Sequence, residues 1–244
     1  MNYIILDLEW NQCPTGKEDE NSSLPFEIIE IGAVRLDETF TETGQFHEVV
    51  KPSVYKKLHY KTKEIVALRS IDFASARTFP EIIPEFLSWC QDALFCTWGP
   101  ADLTELQRNL AYYHIKSPFP FPLIYFDIQK IFSIVYEDRK TRRSLESAVD
   151  FLHLPKNIAF HNALSDAYYT SLIMKHLTAE QVRNNSSVDY YRTPQNRRQE
   201  IYLTYETYVK MVSKPFDTKT QTMKDRVVAS TVCYKCKKNA QKKV

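Results

Sequence analysis

The chain has 244 residues, of which 43% are apolar and 25% are charged, with a net charge of +2. It can therefore bury a sizeable core, and wholesale disorder is excluded. Its 4 glycines argue against a glycine-rich phosphate loop, and the absence of a long apolar run or a signal-peptide pattern predicts a cytoplasmic protein with no membrane partner.

Five short segments rich in Ile, Val, Leu and Phe predict β-strands. In chain order they are Tyr3–Trp10, Glu27–Leu36, Gln45–Lys51, Ala93–Trp98 and Leu123–Phe126. Thr43-Gly44 suits a tight turn before the third segment, so the first three strands are expected to form an antiparallel meander.

Apolar residues at helical spacing predict helices between and after these strands. They are a short helix from Lys61 to Leu68, one opened by Thr78-Phe79-Pro80-Glu81, one carrying Leu103, Leu106, Leu110 and Tyr113, one from Asp127 through Tyr136, one carrying Leu145, Ala148, Val149 and Leu152, and one from Asn162 to His176. Three strands followed by alternating helices and strands predict an α/β fold with a mixed five-stranded sheet flanked by helices.

The first predicted strand ends in two carboxylates, Asp7 and Glu9, which point to the same face because side chains alternate along a strand. Two like charges at that separation repel, and burial increases the cost. A divalent cation would relieve both penalties. The alternative is a surface strand end with two solvated acids, since Asp-x-Glu alone is a weak pattern.

Three further residues lie where a site could form. Asp102 follows the fourth strand, and its ordinary interpretation is a helix cap. His161 and Asp166 open the last helix of the core, where a histidine bonded to the backbone and an acid favoured by the helix dipole are the ordinary interpretations. The order is what distinguishes the set: Asp-x-Glu on the first strand, Asp after the fourth, then His-x4-Asp.

This ordered set resembles the three motifs of the DEDDh family of 3′–5′ exonucleases, which have an RNase H-like fold. The resemblance covers about residues 1–180. Within that family the chain is most similar to the branch of enhanced-RNAi-type exonucleases and sporulation-inhibitor exonucleases. That similarity rests on three segments: Glu27-Ile28-Ile29-Glu30-Ile31-Gly32-Ala33-Val34, Thr78-Phe79-Pro80-Glu81, and Cys96-Thr97-Trp98-Gly99-Pro100-Ala101-Asp102.

The resemblance implies a role for each residue that matches a motif. Asp7, Glu9, Asp102 and Asp166 match four acids that bind two divalent cations, for which Mg²⁺ or Mn²⁺ suits oxygen ligands. His161 matches the general base. The implied activity is two-metal-ion hydrolysis that releases nucleoside 5′-monophosphates from the 3′ end of nucleic acid, with RNA favoured over DNA. The alternatives are a DNA exonuclease of proofreading or repair type and a non-catalytic RNA-binding module.

Two tryptophans near these motifs are candidates for stacking on a base of the substrate. Trp10 follows Glu9 where many relatives have Thr or a small residue, and Trp98 precedes Asp102. Packing against the core is the alternative for both side chains.

Charge and composition change near residue 183. Residues 183–244 contain 14 lysines and arginines against 5 acidic residues, so residues 1–182 are net negative. We therefore predict an exonuclease domain over 1–182 and a helical, basic extension over 183–244. Gln195–Val212 is predicted to be a helix, and the basic segment from Lys219 to Val244 either contacts phosphates or serves only as a solvated terminus.

Cys233 and Cys236 have the spacing of half a zinc ribbon. A structural zinc site needs four ligands, and no second pair follows. Zinc is therefore not expected at Cys233 and Cys236.

Overall fold

The computed structural model describes residues 2–67, 71–236 and 238–240. The chain forms two compact units, Met1–Asp189 and Tyr190–Val244. Among the described residues, no helix is long and apolar enough to cross a membrane.

The first unit is built on one sheet of seven strands. The strands are β1 Tyr3–Asn11, β2 Glu27–Leu36, β3 Glu42–Lys51, β4 Arg77–Thr78, β5 Leu94–Thr97, β6 Ile124–Asp127 and β7 Ser187–Val188. Their order across the sheet is β4-β3-β2-β1-β5-β6-β7. The five predicted strands occupy its centre, and two strands of two residues each extend its edges.

The sheet is mixed, as predicted. β1, β2 and β3 form the antiparallel meander, while β5 runs parallel to β1 and β6 runs parallel to β5. The carboxyl ends of β1, β5 and β6 therefore lie at one edge of the sheet, where side chains from three separate segments of the sequence can meet. β7 pairs with β6, so the first unit continues to residue 189.

Helices cover both faces of this sheet. They are α1 Tyr60–Ala67, α2 Phe79–Cys90, α3 Ala101–Tyr112, α4 Ile128–Tyr136, α5 Leu145–Phe151, α6 Ala163–Lys175 and α7 Ala179–Arg183. The predicted start signals are present: Thr78 and Glu81 form a capping box at α2, and the Asp127 carboxylate accepts the Lys130 N–H at 2.9 Å at α4. Leu68, which was predicted to end α1, lies outside the described residues.

The alternation of side chains along β1 divides the core in two. Ile4, Leu6 and Leu8 pack in one apolar cluster with α2 and α3. Tyr3 and Ile5 pack in a second cluster with α4, α5 and α6. Asp7 and Glu9 point to the same face of β1 as Tyr3 and Ile5, so their carboxylates lie on the face of the sheet that α6 covers.

The second unit is not helical where a helix was predicted. Its elements are a 3₁₀ turn Arg197–Gln199, strands β8 Ile201–Thr204 and β9 Val209–Val212, helix α8 Lys219–Lys224, and strands β10 Thr231–Val232 and β11 Asn239–Ala240. The predicted helix Gln195–Val212 is therefore wrong. Apolar side chains recur with a period of two within each strand, at Ile201 and Leu203 in β8 and at Val209 and Met211 in β9, and the β-branched and aromatic residues there favour strands.

The hairpin that replaces this helix is closed by two aromatic residues. The Tyr205 N–H donates to the Tyr208 carbonyl at 2.8 Å, and the two rings stack with their centroids 4.5 Å apart. The basic segment beyond Lys219 contains only α8 and the short β10–β11 hairpin in its described part, and residues 241–244 lie outside the described residues.

Candidate active site

The first strand and the last core helix bring three acids together. Asp7, Glu9 and Asp166 each place a carboxylate oxygen within 4.8 Å of the other two. Asp7 and Glu9 come from β1, and Asp166 from the first turn of α6. All three are partly buried, so the cluster is open to solvent yet shielded from much of it.

A glycine on the neighbouring strand allows this approach. Gly32 of β2 lies directly opposite Asp7. A Cβ atom on Gly32 would lie 2.0 Å from the carbonyl carbon of Ala163 and 2.1 Å from the Leu164 nitrogen. Backbone atoms cannot move aside as a flexible side chain can. Only glycine at this position lets the start of α6, and with it Asp166, reach the sheet.

Asp102 is held beside this cluster by the backbone of β1. It lies in the first turn of α3, is 6% exposed, and its Oδ1 accepts the Leu8 N–H at 3.0 Å. Leu8 lies between Asp7 and Glu9 in the sequence, so this bond fixes the start of α3 against the residues that carry the other carboxylates.

Burial and mutual repulsion make these carboxylates hard to ionise together. Burial raises the pKa of Asp7 well above its usual value, and the charges of Asp102, Asp166, Glu9 and Glu30 raise it further. Burial also raises the pKa of Asp102 to about 7, with added repulsion from Glu9 and Asp127. Hydrogen bonds from backbone amides, including that of Leu8, partly oppose this rise.

The donor set fits hard divalent cations. Carboxylate oxygens are the ligands that Mg²⁺ and Mn²⁺ prefer, whereas zinc sites are richer in nitrogen and sulfur. Bound cations would replace repulsion among these acids with attraction.

Two further acids contribute to the field of the site without appearing among the sequence candidates. Glu30 faces Glu9 across the β1–β2 pair, is 1% exposed, and lies 2.6 Å from the His47 ring nitrogen. Asp127 ends β6 and raises the pKa of Asp102. Glu30 could have been found as a charged residue inside an apolar strand, and Gly32 as a lone glycine there. Asp127 was predicted to begin a helix, and its role as the cap of α4 gave no reason to assign it to the site.

His161 occupies a different environment from the acids. It is exposed and directly precedes Asn162, whose side chain caps α6 by accepting the Ser165 N–H at 3.0 Å. Its backbone φ of 63° lies in the left-handed region, which few residues other than glycine adopt. It is not a member of the three-acid cluster, and its role as a general base stays a prediction.

Both tryptophans are partly buried at the margin of the core. Trp10 packs against Phe26 with ring centroids 5.6 Å apart. Trp98 contacts Phe132 edge to face at 6.0 Å, and its indole N–H donates to the Arg143 carbonyl at 3.2 Å. Stacking of either ring on a base of the substrate stays a prediction.

The cysteine pair of the second unit lies in the β10–β11 hairpin. Hydrogen bonds from the backbone amides of Cys236 and Lys235 lower the pKa of the Cys233 thiol. Residues 177–244 contain no histidine and no other cysteine. The expectation that zinc does not bind there remains a prediction.

A mixed sheet in this strand order, with helices on both faces, is the RNase H-like architecture of exonucleases. The sequence model of the exonuclease family, RNase T, matches residues 4–174. The chain belongs to this family.

Individual relatives are more distant. The PolC-type DNA polymerase III of Thermotoga maritima is 29% identical over 92 residues, which make up 38% of this chain but only 6% of that polymerase.

Solved structures match over most of the chain. The nuclease domain of 3′hExo, a DEDDh family member bound to rAMP, is 20% identical with a TM-score of 0.62, covering 77% of this chain and 96% of that one. A 3′-exonuclease that recognises a histone mRNA stem-loop is 17% identical with a TM-score of 0.60, covering 87% of this chain and 90% of that one. At these identities the likeness establishes the fold.

Proposed function

We propose that the chain is a divalent-cation-dependent 3′–5′ exonuclease that releases nucleoside 5′-monophosphates from the 3′ end of nucleic acid. The observation that carries this proposal is the cluster of Asp7, Glu9 and Asp166 within 4.8 Å, in a chain of the exonuclease family. Asp102, bonded to the backbone between Asp7 and Glu9, completes the set of four acids.

Asp7, Glu9, Asp102 and Asp166 would hold two ions of Mg²⁺ or Mn²⁺. When bound, such ions stabilise the charge on the attacking and leaving oxygens of an in-line phosphodiester displacement. The protein fixes the positions of the acids through the Leu8–Asp102 hydrogen bond and the close contact of α6 with Gly32.

The His161 imidazole accepts the proton of the attacking water. Neutral histidine suits this task near pH 7. Its place next to the cap of α6 puts it on the same helix start as Asp166. The residue is exposed, so solvent water can reach it.

RNA is the proposed substrate, in preference to DNA. The structures of 3′hExo with rAMP and of a 3′-exonuclease with a histone mRNA stem-loop support RNA. The likeness to part of a DNA polymerase supports the second candidate, a DNA exonuclease of proofreading type. Cytoplasmic location remains a prediction from the sequence.

A turnover assay tests the reaction. The purified chain is incubated with 5′-labelled single-stranded RNA and DNA of the same sequence, in Mn²⁺, in Mg²⁺ and in EDTA. A ladder that shortens from the 3′ end, with RNA shortened faster, is the expected result. An internal cut or a metal-independent reaction would contradict it.

Two variants make the assay specific. Asp7→Ala removes a ligand and should abolish turnover. Asp92→Ala removes an exposed carboxylate just before β5, away from the site, and should retain it. Strand binding without turnover in the unaltered chain, in either cation, would favour the non-catalytic RNA-binding module.

A further inference from the structure

The connection between α4 and α5 contains four cations in five residues. We name residues 139–143, with the sequence Arg139-Lys140-Thr141-Arg142-Arg143, the basic loop. A run of charges on a protein surface is ordinarily only solvated. The location of the basic loop and the hydrogen bonds that hold it decide whether it could also bind a ligand.

The basic loop is fixed to the edge of the sheet that carries the acids. The Arg143 carbonyl accepts the Trp98 indole N–H at 3.2 Å and the Gln129 side-chain amide at 2.8 Å. Trp98 directly follows β5, and Gln129 lies in the first turn of α4 after β6. The loop is therefore attached at the carboxyl ends of two of the parallel strands.

Internal bonds hold the loop in one conformation. The Asp138 carboxylate accepts the N–H groups of Lys140 and Thr141 at 2.8 and 2.7 Å. The Arg143 guanidinium is paired with Glu137, and it also donates to the Ser147 hydroxyl at 3.2 Å. Arg143 therefore anchors the loop. The exposed Arg142 guanidinium donates to the Arg139 and Thr141 carbonyls at 3.3 and 3.2 Å, and the side chains of Arg139 and Lys140 are also exposed.

The charge of Arg142 acts on the acids at this edge of the sheet. Asp127 raises the pKa of Asp102, and Arg142 in turn lowers the pKa of Asp127. Among the described residues, no carboxylate forms an ion pair with Arg139, Lys140 or Arg142. The loop therefore carries positive charge that no described carboxylate pairs with, and at least Arg142 is near enough to act on the acids at the sheet edge.

We infer that the basic loop binds phosphodiester groups of the nucleic acid strand whose 3′ end enters the carboxylate site. This inference rests on the proposed function. The acids that hold the cations repel a polyanion, so the strand needs positive charge next to them. Arg142 and Lys140 provide it, because long exposed cations adapt to phosphates without reading sequence.

Strand binding measured without turnover tests this inference. Fluorescence anisotropy follows a labelled 20-nucleotide single strand in EDTA at several salt concentrations. The test variant is Lys140→Gln/Arg142→Gln, which leaves Arg139 in place because its φ of 70° makes substitution there risky for the turn. The control is Lys116→Gln/Lys175→Gln, which removes one exposed charge just past the end of α3 and another at the last residue of α6.

The expected effect follows from counterion release. Each phosphate contact on a single strand contributes about 0.7 to the slope of log affinity against log salt, so two lost contacts lower the slope by about 1.4. At 50 mM salt the test variant should bind about tenfold more weakly than the unaltered chain. At 200 mM salt the ratio of the two affinities should be about sevenfold smaller, so the two chains should bind almost equally. The control should keep the slope of the unaltered chain.

The outcomes separate this inference from the proposed function. Equal slopes for the test variant and the unaltered chain, with both folded by thermal melting, would overturn the inference even if the chain degrades RNA. Equal loss in test and control variants would also overturn it, since any two charges would then suffice. A reduced slope confined to the test variant supports it, even if no hydrolysis is found in Mn²⁺ and the proposed activity fails.

Discussion

Replacing Asp102 with Asn should stabilise the metal-free protein at alkaline pH. Burial and repulsion raise the pKa of Asp102 from 3.8 to about 7 in the folded chain. The unfolded chain lacks both effects, so folding must work against ionisation of this group. Asn keeps an oxygen that can accept the Leu8 N–H, but it carries no charge.

The size of the effect follows from the difference in pKa. A rise of about 3 units corresponds to about 4 kcal/mol at 1.36 kcal/mol per unit, which is an upper limit because neighbouring acids share protons. Below pH 3.8 Asp102 is protonated in both states and there is no penalty. Between about pH 4 and pH 7 the folded state keeps a proton that the unfolded state loses, so stability falls as pH rises. Above pH 7 the full penalty applies.

Thermal unfolding in EDTA at pH 4 and at pH 8 measures this difference. At pH 8, Asp102→Asn should unfold at a higher temperature than the unaltered chain. The difference should be up to roughly 8–16 °C, at about 2–4 °C per kcal/mol for a domain of about 150–250 residues. At pH 4 the two midpoints should converge. Asp92→Asn, which removes an exposed charge, should change the midpoint little at either pH. A difference between Asp102→Asn and the unaltered chain that does not depend on pH would refute the reasoning.

Three other changes test the packing of α6 on the sheet, the role of His161 and the boundary of the first unit. Gly32→Ala should cost several kcal/mol of stability and abolish turnover because its Cβ overlaps α6, whereas Gly44→Ala, whose Cβ lies 3.8 Å from the nearest side chain, should be tolerated in both assays. His161→Ala should lower kcat about 10²–10⁴-fold while Mn²⁺ binding by calorimetry persists; an unchanged kcat would exclude it as the base. A chain ending at Val182 should melt below one ending at Asp189, because it lacks β7 and the Asp189 bonds to α3; equal midpoints would contradict this.

The sequence could predict the strands because they depend on local pattern, and Asp7 and Glu9 share a face through the period of a strand alone. Asp102 and Asp166 have ordinary interpretations at their helix starts. They were singled out only because the order of the motifs resembles that of the DEDDh exonucleases.

The features that the sequence did not reveal depend on pairing between distant segments. Gly32 matters because β2 places it opposite Asp7 and α6 crosses it, and Glu30 matters because the same register sets it against Glu9. The hairpin β8–β9 was missed because Ile201, Tyr205, Tyr208 and Val212 recur at helical spacing, although Tyr205 and Tyr208 form the turn between the two strands. In a short segment, only the pairing partner decides between the two.

The repulsion at the site links metal binding to stability. The charges that raise the pKa of Asp7 and Asp102 disfavour the ionised folded state when no cation is present. A cation that binds the folded chain and not the unfolded one removes that penalty and adds its own binding free energy. Cations must also displace the protons that these acids retain near neutral pH. Affinity for Mn²⁺ should therefore rise with pH up to about 7, through the same range in which the metal-free protein loses stability.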